Sequence, residues 1–150
     1  MPNRINHVKL ITPRPDLINA FLTQVCDIPE GWPLGGDVQP VSPDTPLGPG
    51  GDLPAEAIGE RRQVSGSGGF VAGDVSSRQV QILEGKQADF WAICISTRHI
   101  EDVYERAKAR GVPCTPITVA DWNERDNIRN FFCIVADLMW EIIRVEPKPA

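Results

Sequence analysis

The sequence predicts an α+β domain of two similar halves, each running strand, helix, then further strands, joined as one curved mixed sheet with helices outside and a cavity inside. Three observations lead there. The stretch "INHVKLI" is followed at once by an amphipathic helix, the same order returns in "FWAICIST" and "HIEDVYERAKARG", and 150 residues suit one core. Because a small sheet with an apolar face is unstable in water by itself, the halves are expected to pair.

Residues 5–12 alternate, with Ile5, His7, Lys9 and Ile11 on one face and Asn6, Val8, Leu10 and Thr12 on the other. Apolar residues on both faces suit a strand with a helix on one side and a partly polar hollow on the other. Pro13 and Pro15 close it. Leu17, Ile18, Phe21, Leu22 and Val25 then recur at helical spacing over 16–26. Residues 29–54 are crowded with Pro, Gly and Asp, and 66–73 with Gly and Ser, so both read as loops, with a short strand near 38–41. Within the long 33–69 loop, residues 61–69 suit an exposed connection or a flap over a ligand.

Strands resume at 70–75 and in "RQVQILEG", where Gln79, Gln81 and Leu83 share a face. In the second half, 90–97 reads as a strand. Ile100, Val103, Tyr104 and Ala107 form the stripe of a helix ended by Gly111. A strand over 114–119 and a polar connection over 120–130 follow. "NFFCIV" and "MWEIIRV" close the chain as a hairpin turning at 136–138 without a glycine. The halves divide at about 4–85 and 88–146.

The formal net charge of -5 and the lack of any dense basic block argue against nucleic acid and anionic membrane partners. No apolar run approaches the roughly 18 residues of a membrane span, and no export signal opens the chain, so a soluble cytoplasmic protein is expected. Cys26, Cys94, Cys114 and Cys133 lack the close spacing of a zinc knuckle and read as free thiols, mostly buried.

The order of elements, with "INHVKLI", "RQVQILEG", "HIEDVYERAKARGVP" and "MWEIIRV", resembles the vicinal oxygen chelate superfamily, nearest in pattern to its methylmalonyl-CoA epimerase-like and glyoxalase-like members. The resemblance implies paired βαβββ modules around a cupped cavity and a divalent metal (Zn, Mn, Co or Ni). Its ligands would be His7, Gln81 and Glu141. The second-module histidine of the family has no counterpart, since that place falls at Trp91 or Ala92; Asp89 is a possible substitute, and His99 sits at a helix start instead. An imidazole, an amide and a carboxylate suit a borderline divalent ion.

With metal bound, the expected chemistry is isomerase or lyase proton abstraction beside a carbonyl, the ion stabilising the oxyanion and Glu141 moving the proton. The second acid or base has no assigned position. Dioxygenase chemistry fits less well, because the second histidine is missing. The alternatives are a metal-free protein that binds or sequesters a small organic molecule, and a structural or regulatory homodimer. Trp91, Phe70, Trp122 and Phe132 are the expected pocket lining.

Overall fold

The computed structural model describes residues 7–31, 39–54, 56, 64–72, 80–85 and 90–150. The chain forms two compact units, one of Met1–Ile11 with Glu56–Phe90 and one of Thr12–Ala55 with Trp91–Ala150. In the first, β1 (Val64–Ala72) and β2 (Val80–Gly85) pair antiparallel, with a register shift between Val64 and Gly69. Interruptions of this kind let one strand bend without losing the ladder beyond it.

The second unit opens with α1 (Pro15–Ala20), where Pro15 occupies the first turn and sacrifices no intrahelical hydrogen bond. The winding then loosens into a π-helical turn, Phe21–Val25, and the Cys26 N–H reaches the Phe21 carbonyl at 3.0 Å. Ile18, Ala20, Phe21 and Val25 are buried. Next come β3 (Ile93–Ser96), α2 (Ile100–Ala109), β4 (Thr118–Asp121), β5 (Asp126–Val135) and β6 (Leu138–Pro147). The sheet order is β3-β6-β5-β4, with β3 parallel to β6 and the other pairs antiparallel.

Strand alternation gives this sheet two unlike faces. One carries Ile95, Phe131, Cys133, Val135, Trp140 and Ile142, all buried with Ile100, Val103 and Ala107 of α2. Tyr104 meets Phe131 edge-on at 5.1 Å between centroids, and Phe21 meets Trp140 at 5.5 Å. Residues of the other face are mostly half-buried or exposed. At the start of α2, Glu101 pairs with Arg129, and Arg144 bonds Glu146 at 3.1 Å. Its own backbone N–H, then Arg129, holds the Glu101 carboxyl below the ordinary range.

The far end of α2 fastens a long loop. Gly111, at φ +74°, ends the helix as its sequence position suggests, in the left-handed region that glycine enters without strain. Leu47 N–H donates to the Arg110 carbonyl and Gly50 N–H to that of Gly111, both at 2.7 Å, and Leu47 is buried. The Gly48 backbone comes so close that a Cβ there would lie 2.6 Å from the Gly111 oxygen. A segment whose composition suggests only a loop therefore contributes to the core.

β5 and β6 join through Ala136 and Asp137, both at positive φ (50° and 62°). This is the backbone of a two-residue primed turn, whose twist matches the strands and which normally recruits Asn or Gly. Ala136→Asn is expected to raise stability by about 0.5–1 kcal/mol. An unchanged urea midpoint would show that the turn carries no such strain.

The predicted architecture needs correction. The sheet of the second unit is open, its hydrogen-bonded ladder ending at β3 and β4, and the described strands of the first unit form a separate two-stranded ribbon. The closed, cupped pair of βαβββ modules, and with it the vicinal oxygen chelate resemblance, is not the architecture observed. Strand, helix and three strands do follow one another in 91–150, but the described part of the first half gives no matching set.

Residues 7–12 are not a strand, and Val8 and Ile11 are 61% and 99% exposed. Alternation shows that a segment can pleat, not that another strand is there to accept its ladder. The supposed loop at 66–73 lies largely in β1, while the supposed polar connection at 120–130 holds the end of β4 and the first half of β5. Asp89, Val38 and residues 61–63 lie outside the described residues. Among the described residues, no helix is long and apolar enough to cross a membrane.

Candidate functional site

The half-open face of the four-stranded sheet carries a row of polar side chains that spans all its strands. Register places Cys94 beside Glu141 and Thr118 beside Asn130. Asn130 lies diagonally across from Glu141, whose direct partner on β5 is Phe132. Side chains that share a face and are neighbours or diagonal neighbours lie within hydrogen-bonding reach.

At the centre, the two Glu141 oxygens have separate donors. Asn130 Nδ2 donates to Oε1 at 2.8 Å, and Cys94 Sγ donates to Oε2 at 2.9 Å. Thr118 Oγ1 donates in turn to Asn130 Oδ1 at 3.0 Å, which fixes the amide so that its nitrogen faces the carboxylate. Neutral donors thus orient the carboxylate, and among the described residues no Lys or Arg forms an ion pair with it. Arg129 and Arg144 project from the opposite face and are engaged by Glu101 and Glu146.

Apolar groups surround the row. Phe132 and Ile143 are half-buried on this face, and Met139 is buried at its end. Trp91, just before β3, meets Phe132 edge-on with centroids 5.5 Å apart. The result is a carboxylate next to an aromatic pair, with two lone-pair sites of the carboxylate already filled.

Cys94 retains exposed surface, yet its thiol is pushed well above the ordinary range, first by burial of the sulfur and then by the charge of Glu141 and the hydrogen bond to it. Burial likewise drives Cys26 up to about 12, against a smaller opposing pull from Arg106. These groups keep their protons in the native state where the unfolded chain begins to lose them. Their contribution to stability is therefore complete below the ordinary thiol value of about 8.5 and falls as pH rises above it. Cys94 is expected to react slowly with iodoacetamide at pH 8, and faster in Glu141→Gln. Equal rates in the two proteins would show that the carboxylate does not hold the proton on sulfur.

The sequence-predicted site residues divide between the two units. His7 belongs to the first and is exposed. Gln81 lies on β2 of the same unit, paired with Val71. Glu141 lies on β6 of the second. Phe70, on β1, is 79% exposed, and Trp122 is exposed beside the β4–β5 turn. Of the expected pocket lining, Trp91 and Phe132 do meet.

Among the described residues, no group of three or more His, Cys, Asp or Glu side chains is placed to hold a metal ion. Together with the open sheet, this removes the basis for a glyoxalase-like, metal-binding isomerase or lyase. Asn130, Cys94 and Thr118 were not anticipated. The alternation of Ile128, Asn130 and Phe132 is the signal that could have placed Asn130 on a strand. No known protein family, curated protein or solved structure matches the chain.

Proposed function

We propose that the second unit binds a small organic molecule on this face without a metal, through a hydrogen-bond-donating or cationic group on Glu141 and an apolar body against Trp91 and Phe132. The observation that carries the reading is the Glu141 carboxylate, held in the middle of the sheet by neutral donors with acceptor capacity left over. Glu141 is half-buried beside apolar side chains, and a ligand donor can take over the acceptor sites that water otherwise fills. An aromatic wall beside one charged group is a common composition for small-molecule sites.

A cytoplasmic setting belongs to the same proposal. All four cysteines are free thiols, the state a reducing compartment maintains. The homodimer expected from the sequence is separable from ligand binding and is read by sedimentation with and without ligand.

The test is calorimetric titration with aromatic amines and aromatic carboxylates of matched size. Amines are expected to bind saturably and to lose about 10- to 100-fold in affinity in Glu141→Gln, since a hydrogen bond to a charged group contributes roughly 1.5–3 kcal/mol. Equal binding of both probe classes, or an unchanged affinity in the variant, would reject Glu141 as the anchor.

A further inference from the structure

Cys114 and Cys133 face each other across an isolated antiparallel bridge just beyond the β4–β5 ladder. Thr115 N–H donates to the Phe132 carbonyl at 2.8 Å and Ile134 N–H to that of Pro113 at 3.3 Å, so the bonds flank the cysteine pair and do not join it. In this type of pair the Cα atoms lie about 4.5 Å apart with their side chains close together. A disulfide spans Cα separations of roughly 4.4–6.8 Å. Both residues are fully buried at 0% exposure, with β5 holding one and the Asp52–Leu53 segment bonded to the other. The neighbouring Cys114 thiol, and after it burial, raises the Cys133 thiol above its ordinary range, and the Cys114 thiol itself donates to the Val112 carbonyl at 3.3 Å.

We propose that Cys114 and Cys133 are a reversible disulfide site that closes on exchange with a low-molecular-weight disulfide. Local opening lets one cysteine lose its proton and attack the small disulfide, whose S–S bond breaks and expels one small thiolate. The second cysteine, deprotonated, attacks the protein-side sulfur of the mixed disulfide and expels the other. The protein gives up two protons and two electrons, and the small disulfide is reduced to two thiols. Closure joins the Cys114 segment to β5 by a covalent bond, while the Asp52–Leu53 segment stays held to Cys114 by its backbone hydrogen bond. This site is on the helix-covered face of the sheet and is independent of the ligand-binding proposal.

The full chain is incubated with oxidised glutathione in urea just below the unfolding transition, where opening is frequent, then alkylated, digested and mapped by mass spectrometry. The expected result is loss of two hydrogens from the intact mass, a Cys114–Cys133 linked peptide, and a Tm raised by about 5 °C or more that a thiol reductant reverses. Because alanine at either position opens a hole in the core, a Cys26→Ser Cys94→Ser variant supplies the control and should form the same link. A chain that stays reduced, stops at mixed disulfides, or links through Cys26 or Cys94 would overturn the proposal.

Discussion

Trp140→Ala is expected to lower the stability of the second unit by about 3–5 kcal/mol, the range for removing a large aromatic side chain from a packed core. Trp140 is 1% exposed, packs on Phe21, and directs its indole N–H at the Val135 carbonyl at 3.5 Å. Its loss would leave a cavity between the sheet and the π-helical turn, and would also strip the carbonyl of a donor. A fall in the urea midpoint at an unchanged slope measures the effect. A loss under about 1 kcal/mol would mean that the first helical segment is not held through this contact. Trp140→Phe keeps most of the volume and should recover much of the loss.

Arg110→Ala is the second large effect, expected at about 2–3 kcal/mol. Its guanidinium donates to the Thr45 carbonyl at 2.9 Å, to Gln24 Oε1 at 2.8 Å and to the Ser42 carbonyl at 3.1 Å. One planar group thus joins α2, the π-helical turn and the loop that carries Leu47. Limited proteolysis should cut within 39–54 in the variant and spare the parent. Arg110→Lys should not restore protection, because an ammonium lacks the forked donors needed to reach three acceptors. Equal cleavage of parent and variant would count against this role.

The parts of the fold that the sequence made legible are those governed by local periodicity. The α2 stripe, its glycine stop, β2 and the closing hairpin all follow from residues near one another in the chain. Pairing between distant segments was not legible in this way. Nothing in "INHVKLI" shows whether another strand will accept its ladder, and residues 7–12 are not a strand, whereas Val64–Ala72 is a strand despite its glycines. The helical pattern after Pro15 was readable, but not the change to π winding at Phe21, nor the packing of that turn on Trp140.

The candidate site shows the same division. Glu141 stands out as a charge within "MWEIIRV", and Trp91 and Phe132, two residues the sequence suggests as lining, meet edge-on. Asn130, Cys94 and Thr118 become partners of the carboxylate only once strand order is known, since they come from three other strands. His7 and Gln81 were joined to Glu141 by analogy with a closed sheet, and an open sheet gives that analogy no support.

The parallel pairing of β3 with β6 has a consequence for the order of assembly. The β5–β6 hairpin closes over two residues, whereas Cys94 and Glu141 are 47 positions apart in the chain. Chain closure is slower and entropically more costly over the longer span, so the hairpin is favoured to nucleate and β3 to dock late. The carboxylate would then gain its sulfur donor only in the last steps to the native state, and a kinetic probe at Cys94 would report completion of the sheet while one at the hairpin reported its start.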